Sequence, residues 1–166
     1  MSAALLAALA GVAGLMVGRY WDSRSESNRW QRDQKVITYQ RLADQFDVVL
    51  GEIRKPLVSE PNADVYESIW IERRTVWSEW LSAVAGIWLH GSTGVVEATA
   101  TLDKALAALE MAVAEKHITT IEEWKLARVA VHDAFAGFIK SAREDLSLPP
   151  VPVTYFDHYP PALGES

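Results

Sequence analysis

Between Val95 and Val113, six residues with buried-type side chains, Val95, Thr99, Leu102, Leu106, Leu109 and Val113, are spaced 4, 3, 4, 3 and 4 apart. A helix turns once in 3.6 residues, so this spacing sets all six along one side and leaves Glu97, Asp103, Lys104 and Glu110 off that line. A strand alternates its side chains with a period of two and would scatter the same residues over both faces. The segment is therefore a helix with one side for a core. Three other segments repeat the pattern: Tyr39, Leu42, Phe46, Val49 and Ile53; Val65, Ile69, Val76, Trp80, Val84 and Ile87; and Trp124, Ala127, Val131, Phe135, Phe138 and Ala142. No strand alternation appears anywhere. Four helices joined by short connections pack antiparallel, so the spacing predicts an all-α fold with an antiparallel four-helix bundle over residues 36–148.

Local signals place the helix ends. Pro56 lacks an N–H and is expected to stop the first helix. Ser59 to Asp64 reads as loop and cap, and the second helix is expected from about Ala63 to Leu89. His90-Gly-Ser-Thr-Gly94 is a turn, and the third helix ends near His117. Thr119 with Glu122 and Thr120 with Glu123 form two overlapping candidate capping boxes for the fourth. Leu148-Pro-Pro150 ends that helix, and residues 149–166 form a tail rich in proline and aromatics with extended, polyproline character.

The N-terminal part is of a different kind. Ser2 to Gly18 is a run of seventeen residues with no charge. As a helix it spans about 26 Å, just under the roughly 30 Å hydrocarbon thickness of a bilayer. Arg19, Tyr20 and Trp21 follow, as basic and aromatic residues do at a membrane interface. Arg24, Arg29, Arg32 and Lys35 add positive charge on that side, which orients a single-pass span with its C-terminal body cytoplasmic, at the inner membrane. Residues 1–18 are thus expected to be a transmembrane anchor that contacts lipid, with residues 19–35 as a charged helical stalk. Ala7, Gly11, Gly14 and Gly18 recur at a spacing that lets two such helices approach closely, so a homo-oligomer paired through the anchor is a second expectation. Two other readings fit the same run. One is a cleaved signal peptide with Ala8-Leu9-Ala10 as its cleavage site, though no basic residues precede it; the other is a buried or amphipathic helix.

Composition narrows the chemistry. The chain of 166 residues is 49% hydrophobic, enough for a core, and carries no cysteine, so disulfides and thiolate sites are excluded. Its net charge of −6 is uneven: residues 19–57 hold eight Lys/Arg against six Asp/Glu, and residues 58–166 hold eight against sixteen. An acidic body makes a poor nucleic-acid groove, because phosphate neutralisation supplies most of such affinity. HExxH, P-loop, GxGxxG and GxSxG patterns are all missing, and no histidine follows a glutamate at three residues as a di-iron bundle requires. His132-Asp133 alone resembles part of the ligand set of the HD phosphohydrolases. That resemblance implies a metal held by His132 and Asp133 with His90 or His117 and Asp145 or Asp157. The plainer reading of His132-Asp133, Glu122-Glu123, Arg73-Arg74 and Glu144-Asp145 is solvated helix face, and no cofactor or metal is expected.

Tryptophan is abundant and clustered. Trp70, Trp77, Trp80 and Trp88 all fall on the second helix. Such a stripe is first of all core, but tryptophans left outside a core are the residues that dominate binding surfaces. Whichever of Trp70, Trp77 and Trp88 is exposed, with Tyr155, Phe156 and Tyr159 of the tail, is the expected partner-binding set. A short N-terminal span, an Arg/Trp-rich segment after it and a small helical body resemble uncharacterised single-span membrane proteins of bacteria and their phages. The resemblance covers residues 1–57, rests on layout, and implies no activity. The sequence-level expectation is a non-enzymatic accessory protein that presents a helical bundle to another protein at the membrane.

Overall fold

The computed structural model describes the backbone of residues 2–58 and 63–151, with side chains for Glu26 and for residues 29–58 and 73–151. These residues form four α-helices, and no strand occurs among them: α1 Ser2–Val58, α2 Ala63–His90, α3 Thr93–Ala114 and α4 Ile121–Asp145.

The apolar stripes are the core. Tyr39, Leu42, Phe46, Val49 and Ile53 of α1 are buried, as are all six positions of the α3 repeat. Val76, Trp80 and Ile87 of α2 join them, along with Trp124, Val131, Phe135, Phe138 and Ala142 of α4. Ala83 lies between Trp80 and Ile87 and is buried too, because α1 and α2 come close there: a methyl group on Gly86 would meet the Thr38 methyl at 3.1 Å. The rings of Phe46 and Phe135 stack with centroids 4.0 Å apart at the α1–α4 contact.

Pairs of residues across the helix contacts run in opposite directions along the chain. Arg41 reaches Ser82 at 3.2 Å and Gln45 reaches Glu79 at 3.4 Å between α1 and α2. Trp80 donates to Asp103 at 2.8 Å and Arg73 to Glu110 at 2.9 Å between α2 and α3. Tyr39 lies against Phe138 and Phe46 against Phe135 between α1 and α4. The helices are therefore antiparallel neighbours around one core, and only Gly91 and Ser92 separate α2 from α3. α1 also touches α3 across the bundle, whereas α2 and α4 make no comparable contact among the described residues.

Three boundaries differ from expectation. α1 passes Pro56 and ends at Val58, because a proline in the last turn deletes one backbone bond without room left for the chain to bend. α3 stops at Ala114, three residues before His117, and α4 stops at Asp145. Both end in the same motif. His117 N–H reaches the Ala112 carbonyl and Lys116 N–H that of Val113, while Leu148 N–H reaches Arg143 and Ser147 N–H reaches Glu144. This double bond pattern needs a left-handed residue just past the helix, and here Lys116 (φ 59°) and Ser147 (φ 56°) supply it in place of glycine. Of the two candidate boxes before α4, the one made is Thr120 with Glu123: each side chain satisfies the other's backbone N–H.

The stalk, residues 19–35, is helical and continuous with the bundle, so α1 is a single helix that leaves the bundle beside Ser92 and Asp145. No helix among the described residues is long and apolar enough to cross a membrane. The transmembrane part of the expected architecture therefore has no support from them. The side chains of residues 1–18 and of Arg19, Tyr20 and Trp21, on which that expectation rests, lie outside the described set.

Candidate functional site

Two features stand out on the bundle: exposed apolar stripes on α1 and on α2, and a polar collar where α1 leaves. The levels of the stripes follow from the register. Thr38 opposite Gly86, Arg41 opposite Ser82 and Gln45 opposite Glu79 place residue n of α1 level with about residue 124 − n of α2. Ile37 is thus level with the end of α2, and Trp30 lies about two turns further out. Trp30 and Ile37 are seven residues apart and share one side of α1; Leu81 and Trp88 share one side of α2 in the same way. All are exposed: Trp30 by 60%, Ile37 by 59%, Trp88 by 67% and Leu89 by 78%. Trp30 and Ile37 form an exposed stripe on α1, and Leu81 and Trp88 a second on the side of α2 that carries Trp77 and Val84, the side turned toward α3 rather than α1. Exposed tryptophans on rigid helices are residues of the kind that receive another molecule.

The sequence-derived partner-binding residues divide accordingly. Trp88 is exposed. Trp77 is half-buried against the core, with its Nε1 enclosed and unbonded, so its ring is packing rather than surface. The side chain of Trp70, and Tyr155, Phe156 and Tyr159, lie outside the described residues, as do the anchor positions Ala7, Gly11, Gly14 and Gly18. Trp30 and Leu89 were not anticipated. The stalk has no stripe of its own, and Trp30 lies about one turn beyond the level of His90, where α2 ends.

The collar is built from residues that look solvated in sequence. Asp145 accepts from Tyr39 Oη at 2.6 Å and pairs with Lys35 Nζ at 2.8 Å, and Arg32 donates to the Leu146 carbonyl at 3.3 Å. Burial of Asp145 works against its charge. Hydrogen bonds from Lys35, Tyr39 and Ser92, with the Lys35 charge, outweigh it and hold the carboxyl below its usual range. Tyr39 is pushed the other way, first by burial and then by the neighbouring carboxylate. Asp145 is therefore no solvated face residue, and Lys35 is engaged by it rather than free. Arg73 likewise is mostly buried, paired with Glu110, whereas Arg74 beside it is exposed.

The HD-type ligand set is not assembled. His132 packs on the Phe46 ring at 6.2 Å in mid-bundle. Asp145 is thirteen residues further along the same helix, about 20 Å away, against the roughly 2 Å reach of a metal–ligand bond. His90 ends α2, and His117 follows α3 at the other end of the bundle. Among the described residues no three His, Asp or Glu side chains converge to hold a metal ion. Asp157 lies outside them.

The chain matches no protein-family model, no characterised protein and no solved structure.

Proposed function

We propose that the chain is a docking module: a four-helix bundle, held at the cytoplasmic face of a membrane by residues 2–18, that presents the outer face of α1 and α2 to a partner protein. The observation that carries the docking half is the exposure of Trp30, Ile37, Leu81, Trp88 and Leu89 on two adjoining helices. Tryptophan exposed on a rigid helix loses little side-chain freedom on binding and offers a large apolar area, which is why it dominates binding energies. The anchor half rests on the sequence: seventeen uncharged residues, then Arg19, Tyr20 and Trp21. Its layout resembles that of uncharacterised single-span proteins of bacteria and their phages. A helix carried from the anchor into the bundle without a break would hold the face at a fixed height and direction from the bilayer.

The alternative, an oligomer built through the anchor, would use another side of α1. On a regular helix Trp30 and Ile37 lie roughly 130° around from Gly14 and Gly18. Pairing through the glycines would leave the Trp30 stripe uncovered. Between Arg19 and Lys35 only Tyr20, Trp21 and Trp30 are large and apolar, too few for the seam of a coiled stalk.

The test is a photo-reactive amino acid placed in turn at Trp30, Trp88 and Glu122 of the full chain in cells. Discrete adducts at Trp30 and Trp88 and none at Glu122, with the Trp30 adduct abolished by Trp88→Ala combined with Leu89→Ala, support the docking face. Equal labelling at all three positions, or adducts indifferent to the alanines, removes it.

A further inference from the structure

The four helices pack as two close pairs. Between α1 and α2 the facing residues are small: Gly86 lies against the Thr38 methyl, and Ala83 is buried nearby. Ala98, Ala105 and Ala112 recur every seven residues on the side of α3 away from Asp103 and Glu110, which face α2. Ala127 and Ala134 do the same on the side of α4 away from His132, which faces α1. Small residues at a contact let helix axes approach closely. Between the two pairs the side chains are large. Phe46 stacks on Phe135, Tyr39 meets Phe138, and Trp80 is fully buried.

Polar bonds across this seam run one way. Arg73 donates to Glu110, Trp80 to Asp103, and Tyr39 and Lys35 to Asp145, so the donors lie on α1 and α2 and the carboxylates on α3 and α4. The chain passes from one pair to the other at Gly91 and Ser92. Gly91 N–H still bonds the Ile87 carbonyl, and helical bonding resumes with Val96 N–H on the Ser92 carbonyl. Ser92 itself is extended, and its side chain makes no capping bond.

The two ends of the seam differ. Beside Ser92 the collar ties Asp145 to Tyr39 and Lys35. Further along, the enclosed Thr99 Oγ1 and Trp77 Nε1 have no hydrogen-bond partner. About 28 Å from Ser92 along α2, the Arg73–Glu110 pair closes the α2–α3 edge. Water reaching Thr99 and Trp77 would satisfy both groups, which offsets part of the cost of parting the helices there.

We infer that the bundle is a jaw: the α3–α4 pair swings from the α1–α2 pair about Ser92, with the Asp145 collar beside the pivot and the Arg73–Glu110 pair as the clasp at the mouth. The small-residue contact inside each pair keeps the helices intact during the swing. Ile53, Val113, Ile118 and Trp124 are buried at the mouth, and opening turns them into an apolar surface. The jaw depends neither on the anchor nor on the exposed stripes, so it stands independently of the proposed docking function.

The chain has no cysteine, so single thiols can report the opening. In the full chain, Val113→Cys and Ile53→Cys place a thiol on each side of the mouth, and Val95→Cys places one near the pivot; all three positions are buried. Modification by a water-soluble maleimide is timed under native conditions, where its rate tracks the population of the open form. The jaw predicts rates at both mouth positions about tenfold above that at Val95→Cys. Glu110→Gln removes the clasp. It should speed both mouth positions by about tenfold, leave Val95→Cys within about twofold, and keep the helical signal. If Ile53→Cys does not fold, Val49→Cys, one turn nearer the pivot on the same side of α1, takes its place. Three results would each overturn the jaw. Equal rates at all three positions would mean that the core opens only by global unfolding. A fast rate at Val113→Cys alone would mean fraying of α3, and mouth rates indifferent to Glu110→Gln would show that the pair clasps nothing.

Discussion

The Tyr39 hydroxyl lies 2.6 Å from the Asp145 carboxylate, and that bond fastens α1 to the end of α4 where α1 leaves the bundle. Lys35 at 2.8 Å and the Arg32 contact to the Leu146 carbonyl extend the same fastening by one more turn. Any load or signal passing between the N-terminal part of α1 and the bundle crosses this collar.

Tyr39→Phe removes the bond and keeps the ring against Phe138. The expected cost is about 1–2 kcal/mol, the worth of a hydrogen bond to a mostly buried charged group. Asp145→Ala leaves three donors, Tyr39, Lys35 and Ser92, without their acceptor and is expected to cost about 2–3 kcal/mol. In a double-mutant cycle by urea unfolding the two should couple by at least about 0.5 kcal/mol, and amide exchange should quicken at residues 32–39 before the rest of α1. Strict additivity would show that Tyr39 and Asp145 do not act together.

The pH dependence follows from the directions of the shifts. Asp145 is held below its ordinary 3.8 when folded, so its contribution is present above that value and is lost as pH falls through the folded value. His132 is lowered from 6.5, by burial first and then by Arg128, against the pull of Asp47 and Asp133. The unfolded chain therefore takes up the His132 proton first, and stability declines from about pH 6.5 downward. Tyr39 is raised from 10.0, so its contribution is complete below that value and lost as pH climbs above it. Melting temperatures across pH should show both limbs. Asp145→Asn should flatten the most acidic part and Tyr39→Phe the alkaline part; wild-type slopes retained in both variants would contradict the assignment.

Thr99 is fully buried, and its Oγ1 has no hydrogen-bond partner. Thr99→Val keeps the shape and removes the unpaired hydroxyl. It is expected to stabilise the bundle by about 1 kcal/mol, whereas Thr99→Ala should destabilise it by opening a cavity. Chemical denaturation separates the two signs.

Lys116 and Ser147 occupy left-handed positions that glycine adopts without strain. Lys116→Gly is expected to raise stability by roughly 0.5–1 kcal/mol. Ser147→Gly should do the same for α4. A loss of stability at Lys116→Gly would mean that the greater freedom of glycine in the unfolded chain outweighs the relieved strain.

The fold was legible because each helix carries one continuous stripe. The six α3 positions, the five of α1 and the Thr120–Glu123 box all follow from spacing that admits a single periodicity, and all are found as expected. The collar was not legible. Tyr39 sits in the stripe as one more apolar ring, and Glu144-Asp145 reads as a charged helix end, because nothing local shows that residues 39 and 145 meet. The docking face was half legible. Trp88 could be singled out as a candidate, but its separation from Trp77, about three turns back on the same side of α2, depends on how far along α2 that side stays packed. Trp30 could not be singled out, because the stalk around it carries no apolar stripe.

Alkaline carbonate extraction is the most direct measurement of the central claim, a bundle held at a membrane by its N-terminal helix. Membranes from cells expressing the full chain would be compared with those from cells expressing a version lacking residues 1–18. The account predicts that the full chain stays in the pellet and the shortened one is released. If both are released, residues 2–18 do not anchor the protein in a bilayer, and the α1–α2 face would have to be tested as the surface of a bundle free of the membrane.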